Sequence, residues 1–580
     1  MSWKKGVLPY VAVVVAILTL LTACGGSAPA TEAPPAAPTA AAPTAAAEQP
    51  APTQPPAATT APAPTQPAAT ESKGGDLIVA TRASAEPASL DGQIDPYQST
   101  WLYDSLVADP LIVLDSDGQY KPDLATSWES SPDGKSWTFK LRQGVKFQDG
   151  TPFNAEAVKY NFDRVIDPAT ASAQMASDVG PIKSVEAVDE YTVQVNYDEP
   201  WVTLLDAVRR MPIWSPTAAQ NYGLAEFDKH LVGAGPFTLV EWVPNDHITF
   251  KKWPEYGGWN SVQAHEGPVF LESVTIKFIG EEAVLGSVVQ TGDADVVQEL
   301  PASYIPDYKD KPGFVFIVGY QAGTGLEMVM NTRQPPLDQL KVRQALLYAA
   351  DQAAINDLLY DGTYLVSDGP LNTVHPCYWE GAKDMYPPDV EKAKALLDEV
   401  GWKDEDGDGI REAHGVPGVA DGTPLKIRFT VLHHQEIGEA LQSQYRPTGI
   451  DLAIEVIPGP VQLERVQKHD FDLIYERQRS PDPAILDQIW NSKWDQPGGW
   501  AWTGFKDAKL DETVSQLRTV GDFEKRCQLA KDAQKIIMEN ASMLPTLSQP
   551  VFYALNADVK DFKLGAEGNW FFVNDTSIEN

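Results

Sequence analysis

The sequence predicts an α/β fold that is divided into two or three domains. Two stretches, residues 133–165 and 389–457, change between the period of a strand and that of a helix. Strand, helix and strand in succession are typical of an α/β sheet with mostly parallel neighbours. Beyond the N-terminal leader and a polar segment, about 500 residues remain, which is more than one hydrophobic core accommodates.

The first stretch predicts a strand, a turn and a helix. Trp137, Phe139 and Leu141 alternate with polar residues, as in a half-buried strand. A turn is expected at residues 148–150, and Asn154 then has the side chain to cap a helix. The predicted helix buries a face whose members are three or four positions apart: Ala155, Val158, Phe162 and Val165.

The second stretch predicts a helix followed by two strands with a further helix between them. Residues 390–400 place Val390, Ala393, Leu397 and Val400 on one helical face. Gly401 supplies a stop signal for this helix. The strands are expected where apolar and polar side chains alternate, at residues 425–431 and 450–456.

The N-terminus has the features of an export signal. Two lysines precede the apolar run from Val7 to Leu21, which is about 15 residues long, whereas a helix needs about 20 to span a bilayer. A permanent transmembrane anchor is therefore the weaker interpretation. The residues Leu-Thr-Ala-Cys that end at Cys24 resemble the bacterial lipobox. We expect a lipoprotein signal peptide at residues 1–23 and a lipid on Cys24 that anchors the protein to the cell membrane.

The segment that follows is rich in alanine, proline and threonine. Residues 24–73 contain almost no aliphatic side chains larger than alanine. Such a segment buries too little apolar surface to offset its conformational entropy. We therefore expect a disordered, lipidated tether on the extracytoplasmic side of the membrane, in the periplasm if the cell has two membranes.

Charge and cysteine content exclude two further classes of protein. The formal net charge is −35, and no basic stripe offers the phosphate contacts that a nucleic-acid partner needs. Only Cys377 and Cys527 remain beside Cys24, so a disulfide framework is excluded. A single bridge between them and two buried free thiols both stay open.

Several motifs follow one another across nearly the whole folded part of the chain. They include "LATSWESSPDGKSWTFKLRQGVKFQDGTPFNAEAVKYNFDR" from residue 124, "VGAGPF" from residue 232, "MNTRQPPLDQLKVRQALLYAADQAAI" from residue 330 and "AQKIIMENASMLPTLSQP" from residue 533. In these motifs the chain resembles the family 5 solute-binding proteins of ABC importers, the oligopeptide-, dipeptide- and nickel-binding group.

The resemblance implies a periplasmic-binding-protein-like type II clamshell of two lobes, with an extra α/β domain on the first lobe. Lobe I would comprise residues 74–115, 226–325 and 545–580. The extra domain would span residues 116–225, and lobe II residues 326–544. The chain would cross the hinge twice, and the lobes would close around a ligand.

The resemblance also implies a binding protein and not an enzyme. A small-molecule or oligopeptide ligand would be captured between the lobes and delivered to membrane permease subunits. Separate subunits would hydrolyse ATP, because the chain lacks a G-x-x-x-x-G-K-[ST] loop. The expected form is a monomer with neither cofactor nor metal.

The ligand-recognising segment departs from the family pattern. Peptide-binding relatives carry W-x-x-D-x-x-D-P, whose first aspartate pairs with the ligand's α-amino group. In "ERQRSPDP", residues 476–483, Glu476 replaces the tryptophan and Arg479 replaces that aspartate. One hypothesis is that Arg479, with Arg477, receives an anionic or hydroxyl-rich group. The alternative is that Arg479 pairs with Glu476 or Asp482 in a structural network.

Further candidate ligand contacts come from aromatic residues and the hinge entry. Flat apolar faces give a broad-specificity cleft affinity for many side chains or sugar rings. Trp101 and Tyr103 follow the first predicted strand, and Tyr475 precedes the altered segment. The resemblance implies that Glu327 and Val329, at the hinge entry, also contact ligand. Asp482 of the altered segment completes the predicted substrate-binding set.

Other functions have weaker support from the sequence. The acidic residues Asp404, Asp406 and Asp408 resemble the start of a calcium loop, but Gly415 stands at its twelfth position, so an acidic turn is the favoured interpretation and a calcium site the weaker one. Nickel ligation is disfavoured because neighbours such as His433 and His434 point to opposite faces of a strand. An opine- or sugar-type ligand stays open. An exported hydrolase lacks support, since neither G-x-S-x-G nor H-E-x-x-H occurs.

Overall fold

The computed structural model describes one compact unit of the chain, in residues 74–95, 97–432, 434–496 and 499–579. The predicted signal peptide 1–23, the predicted tether 24–73, Cys24 and His433 lie outside the described residues. Within the described ranges, no helix combines the length and the apolar character that crossing a bilayer requires.

A seven-stranded mixed sheet, the large sheet, gathers strands from distant parts of the chain. With strands numbered in chain order, its spatial order is β12 (Phe314–Gly319), β22 (Val551–Asn556), β11 (Val296–Gln298), β1 (Asp76–Arg82), β10 (Ser273–Ile279), β9 (His247–Lys252) and β8 (Phe237–Val243). Strand β1 is parallel to both β10 and β11, and the remaining pairs of the sheet are antiparallel.

A separate five-stranded sheet, the small sheet, is formed by other strands of the chain. Its order is β18 (Asp451–Val456), β17 (Lys426–Val431), β19 (Leu473–Glu476), β13 (Glu327–Met330) and β20 (Met543–Leu544). Strand β17 runs parallel to β18 and β19, as predicted for the strands of the second stretch. Strand β13 is antiparallel to β19 and β20.

A four-stranded antiparallel sheet packs beside the large sheet in one common core. Its order is β4 (Ala125–Ser130), β5 (Ser136–Leu141), β7 (Thr192–Tyr197) and β6 (Ile182–Asp189). Short two-stranded ribbons complete the described strands: β2 (Ile112–Leu114) with β3 (Tyr120–Pro122), β14 (Leu365–Val366) with β21 (Leu547–Ser548), β15 (Trp402–Lys403) with β16 (Glu412–Ala413), β23 (Val559–Lys560) with β26 (Ser577–Ile578), and β24 (Lys563–Leu564) with β25 (Phe571–Phe572).

Helices connect and cover these sheets. In chain order they are α1 (Gln98–Asp104), α2 (Ala155–Ile166), α3 (Ala173–Val179), α4 (Leu204–Val208), α5 (Pro216–Tyr222), α6 (Glu282–Ser287), α7 (Ile305–Tyr308), α8 (Leu340–Ala349), α9 (Gln352–Tyr360), α10 (Val390–Val400), α11 (Gln435–Tyr445), α12 (Gly459–Gln467), α13 (Ile485–Trp490), α14 (Ala508–Gln516) and α15 (Phe523–Glu539).

The two predicted helix termini are confirmed in atomic detail. The side-chain oxygen of Asn154 accepts a hydrogen bond from the backbone N–H of Ala157 at 3.0 Å, which caps α2. Gly401 ends α10 with φ of 107°, a backbone conformation that favours glycine. The predicted apolar face of α10 is less complete, because Val390 is exposed while Ala393 and Leu397 are buried.

The expectation of mostly parallel neighbours is wrong for most strand pairs. Hairpins such as β8–β9 and strands that return from remote parts of the chain, such as β22, add antiparallel pairs. Local periodicity reports that a segment is a strand, but it carries no information about the direction of its neighbour. The predicted limits of the two lobes and the extra domain stay a prediction, since strand membership alone does not fix where a domain begins.

The two cysteines that the sequence left open form a disulfide in the structure. Cys377 and Cys527 are bonded across 150 positions of the chain, and both are buried. The bridge joins the segment that precedes α10 to helix α15, and both cysteines belong to the apolar core that contains the small sheet.

Candidate functional site

The chain passes between the large and the small sheet twice. It leaves β12 at Gly319 and enters β13 at Glu327, and it returns from β20 at Leu544 to β22 at Val551. Because only these two connections join the sheets, each sheet belongs to a separate half of the described unit. We call the halves the large-sheet side and the small-sheet side.

A cavity of about 800 Å³, the larger cavity, lies between the two sides. From the large-sheet side it is lined by Gln98 and Trp101 of α1 and by Asp206 of α4. From the small-sheet side it is lined by most residues of the segment 477–485, which follows β19, and by two tryptophans of the loop after α13. Four tryptophans thus face this cavity: Trp101, Trp201, Trp494 and Trp500.

A second cavity of about 410 Å³, the smaller cavity, adjoins the larger one. Arg477 and Arg479 line both cavities, so these two side chains stand at the junction. The smaller cavity is also lined by Arg82 at the end of β1 and by Glu299 directly after β11. Gln321 completes this part of the lining from the first crossing, the connection between β12 and β13.

Backbone pairing holds the two arginines in position. Beyond β19 the chain continues beside the first crossing, where the N–H of Thr324 donates to the carbonyl of Gln478 at 2.9 Å. Gly323 and Arg479 form an antiparallel bridge. The guanidinium of Arg477 donates to Gln549 Oε1 at 2.7 Å, and that of Arg479 donates to Gln98 Oε1 at 3.3 Å.

Arg477 and Arg479 differ from the other charged residues of the larger cavity, because neither has a carboxylate partner within the described part of the chain. Every other charged residue of the lining forms an ion pair: Asp178 and Asp206 with Arg210, Glu567 with Arg209, Asp482 with Arg526, and Lys493 and Arg518 with Asp487. Two guanidinium groups that form no ion pair in the described structure therefore line the same junction.

Burial disfavours both positive charges, and it outweighs the attraction of the nearby carboxylate of Glu299. Burial, and then the charge of Arg479, lower the pKa of Arg477 to about 9. Enclosure between the two sides also lowers the pKa of Arg479, although its side chain keeps an exposed surface towards the cavities. An anion placed between the guanidinium groups would relieve this repulsion and would accept their fixed donors.

The structural network proposed as the alternative role of Arg479 does not form among the described residues. The carboxylate of Asp482 pairs with Arg526 of α15 and accepts the N–H of Ala484 at 2.8 Å. Glu476 is buried opposite Glu327. Asp482 lines the larger cavity, but its charge is already balanced.

The remaining sequence candidates divide into two groups. Trp101 lines the larger cavity, where its ring lies 4.7 Å from the guanidinium carbon of Arg210. Tyr103 is buried against Phe278, and Val329 is buried with Ile474. These two side chains line neither cavity, so their placement does not support ligand contact. Strand and helix periodicity alone do not tell which face of an element meets the cleft.

Tyr475 and Glu327 also lie away from both cavities. The ring of Tyr475 packs edge-on against Phe429, with centroids 4.9 Å apart. Glu327 is fully buried, and burial together with the neighbouring Glu476 raises the pKa of Glu327 well above its usual range. The two residues belong to β19 and β13 of the small sheet, and neither lines the larger or the smaller cavity.

Several cleft residues were missed by the sequence reasoning. Trp494 and Trp500 occur in "WNSKWDQPGGWAW", whose density of tryptophans was a usable signal for an aromatic binding surface. Arg82 and Gln321 had no such signal, because each reaches the smaller cavity only through the long-range arrangement of the two sides.

The acidic turn at residues 404–412 carries oxygen ligands close together. One carboxylate oxygen each from Asp404, Asp406 and Glu412 lie within 4.8 Å of one another. Asp404 already accepts the N–H groups of Gly407 and Gly409, at 2.8 and 3.1 Å. These bonds account for the acidic residues as a turn, which was one of the two interpretations of the sequence.

Known proteins resemble this chain over most of its length. The family model "Bacterial extracellular solute-binding proteins, family 5 Middle" matches residues 119–495. The probable D,D-dipeptide-binding periplasmic protein DdpA of Escherichia coli is 26% identical over 509 residues, which are 84% of this chain and 91% of that protein. The nickel-binding periplasmic protein of Escherichia coli is 29% identical over 468 residues, 76% of this chain and 83% of that protein.

The fold also matches a solved structure. NikA from Brucella suis, in complex with Fe(III)-EDTA, superposes with a TM-score of 0.75 and is 25% identical. The superposition covers 87% of this chain and 99% of NikA. The two-lobed type II architecture with an additional domain, as expected from the sequence, is therefore the fold of this protein.

Proposed function

This chain belongs to the bacterial extracellular solute-binding proteins of family 5, and we propose that it is the substrate-binding subunit of an ABC importer. It captures a polar organic solute between its two sides and delivers that solute unaltered to a membrane permease. Separate subunits hydrolyse ATP. The names of its relatives refer to a dipeptide and to nickel, so family membership leaves the solute open.

The observation that carries the proposal is the unpaired arginine pair in the cleft. Arg477 and Arg479 face a cavity of about 800 Å³, which is the size of a pocket for a small organic ligand. Keeping two enclosed guanidinium groups together without a carboxylate in direct contact is unfavourable unless a bound anion compensates them. The solute therefore carries at least one oxyanion, a carboxylate or a phosphate, which accepts hydrogen bonds from these groups.

The same arginines disfavour an ordinary peptide with a free N-terminus. A guanidinium at the position of Arg479 repels the ammonium group that an aspartate attracts in peptide-binding relatives. The four cavity tryptophans suit a ligand with a flat or ring-shaped body.

The proposed cycle depends on the two crossings of the chain. Rotation about residues 320–326 and 545–550 opens and closes the cleft, and the solute shifts the population to the closed form by contacting both sides at once. The permease recognises the closed form. Lipid on Cys24 and the tether 24–73 keep the monomeric receptor at the extracytoplasmic face of the membrane.

The proposal is tested by identifying the solute that the full chain carries. Mass spectrometry of protein purified under native conditions should detect one organic anion per protein molecule, and prolonged incubation should leave it unchanged. Steady formation of a product would contradict the receptor role and would support an exported hydrolase. Failure to recover or bind any solute would also contradict the proposal.

The role of Arg479 is tested separately with a matched pair of variants. We expect Arg479→Ala to weaken solute binding by about tenfold to a hundredfold, because a charged hydrogen bond is lost. Arg446→Ala removes an equivalent charge from an exposed position outside both cavities and should leave the affinity unchanged. Recovery of free-amine dipeptides, with equal affinity for Arg479→Ala, would refute the assignment of Arg479.

A further inference from the structure

The smaller cavity differs from the larger one in its balance of charge. Its lining contains three arginines, Arg82, Arg477 and Arg479, but only one carboxylate, that of Glu299. Glu299 lies 3.8 Å from Arg82, so its charge is already shared with that arginine. The larger cavity, by contrast, has four carboxylates in its lining. The positive potential at the junction is therefore stronger on the side of the smaller cavity.

An unused hydrogen-bond donor reinforces this asymmetry. The side chain of Gln321 lines the smaller cavity, the residue is 6% exposed, and its Nε2 has no hydrogen-bond partner in the described structure. Its backbone carbonyl is fixed by the side-chain amide of Asn372 at 2.6 Å. A buried amide donor without a partner is costly, and it becomes satisfied when an acceptor binds in front of it.

The remaining wall of the smaller cavity combines polar side chains and His434 with an apolar part, which consists of Leu300, Ala302, Pro550, Val551 and Phe552. Tyr364 and Gln549 border it, and Gln549 holds the guanidinium of Arg477 at 2.7 Å. None of the four cavity tryptophans reaches it, since all of them line the larger cavity. The two cavities thus differ in two respects: the smaller one has the larger excess of cationic side chains, and the larger one has the tryptophans.

We propose that the smaller cavity is the anion subsite of the receptor: it binds a carboxylate or phosphate group through Arg477, Arg479 and the side-chain amide of Gln321. The larger cavity then accommodates the rest of the solute between its tryptophans. This assignment rests on the proposed receptor function and adds the orientation of the solute, with its oxyanion towards Gln321 and its ring-bearing body towards Trp500. Arg82 acts as a positioning residue that keeps Glu299 from opposing the anion.

The test uses the full chain, freed of its solute, and two probes of known chemistry: inorganic phosphate and succinate. Titration calorimetry measures their affinity. We expect at least one probe to bind, and the preferred one identifies the class of oxyanion. If neither probe binds at about 10 mM, where even a millimolar affinity would be visible, the subsite assignment is overturned.

Variants then locate the probe. Gln321→Glu keeps the size of the side chain but replaces the amide donor by a carboxylate, and we expect it to weaken probe binding by about tenfold or more. Gln119→Glu makes the same chemical change at an exposed residue of the turn between β2 and β3, which lines neither cavity, and it should bind the probe like the wild type. Equal affinity of Gln321→Glu and wild type would refute the assignment.

A second variant covers the case in which Gln321→Glu does not fold. The side chain of Arg82 is 46% exposed, so Arg82→Gln disturbs the fold little. It frees the charge of Glu299, and probe affinity should fall about tenfold. If both variants retained probe binding while the natural solute was still carried, the subsite would be wrong but the receptor function would stand. If the wild type bound no solute at all, the receptor function itself would be contradicted.

Discussion

Glu327 and Glu476 stand directly opposite each other on adjacent antiparallel strands of the small sheet. They are 0% and 4% exposed, and none of their four carboxyl oxygens has a hydrogen-bond partner in the described structure. Residues in this register point to the same face of a sheet, so the two carboxyl groups are neighbours in an apolar interior. Two negative charges there would repel each other strongly, and the pair must therefore hold at least one proton at neutral pH.

This pair predicts that stability falls as pH rises. Burial raises the pKa of Glu476 from its usual 4.5 to about 8, so the folded state binds a proton that the unfolded state releases. The stabilisation is complete below pH 4.5 and is lost as pH rises through about 8. We expect Glu476→Gln to raise the free energy of unfolding at pH 8 by about 1–3 kcal/mol and to flatten its pH dependence.

Urea unfolding at several pH values between 5 and 8.5 measures this effect. Glu199→Gln is the control, because its side chain is 83% exposed, and it should follow the wild type. An unchanged pH slope in Glu476→Gln would show that the pair is not the titrating group.

The ion pair between Arg526 of helix α15 and Asp482 of the cavity lining is expected to stabilise the folded state. The guanidinium of Arg526 is buried, bonds Asp482 and donates to the carbonyl of Leu517 at 2.7 Å. Arg526→Met leaves the carboxylate of Asp482 without its counter-ion, and we expect a loss of about 3–5 kcal/mol in the free energy of unfolding. Lys525→Met changes the adjacent residue, whose side chain is 74% exposed, and thermal unfolding should show almost no loss.

The disulfide predicts a dependence of stability on redox conditions. Because the bridge closes a loop of 150 positions, removing it by Cys377→Ser with Cys527→Ser should cost about 2–5 kcal/mol. Thermal unfolding with and without a reducing agent tests this. The wild type should lose stability on reduction, whereas the double variant should not respond. A response of the double variant would place the redox-sensitive group elsewhere.

The backbone bridge at Gly323 predicts that a single methyl group disturbs the cleft. Gly323 has φ of 147°, and a Cβ atom there would lie 2.3 Å from the carbonyl oxygen of Gln478. We expect Gly323→Ala to displace the segment that carries Arg479, with a cost of about 1–3 kcal/mol in stability and a weaker affinity for the solute. Gly521→Ala has open space around its Cβ position and serves as the matched control in both measurements.

The sequence was most informative where the signals are local. The strand at residues 136–141, the cap of α2 at Asn154 and the end of α10 at Gly401 depend on residues within a few positions of one another, and all three are confirmed. The neighbours of those strands depend on contacts between distant segments. For that reason the predominance of antiparallel pairs was not predicted.

For the site, too, features with a local signal were predicted and features that depend on distant segments were not. Arg479 was singled out from one short motif, and the structure brings this arginine and Arg477 to the junction of the two cavities. Tyr103 and Val329 are buried and line neither cavity, and the pattern does not reveal which face of their elements meets the cleft. Gln321 is defined only by the crossing between the two sheets, which no local pattern describes.

The two crossings have a further consequence for how such receptors diversify. The whole small sheet lies between Glu327 and Leu544, and so does the segment that carries Arg477 and Arg479. Two splice points are therefore enough to exchange this half of the cleft between relatives without cutting a strand of the large sheet. A chimaera made at these joints inherits Arg477 and Arg479 together, while Arg82 and Gln321 stay with the large-sheet side.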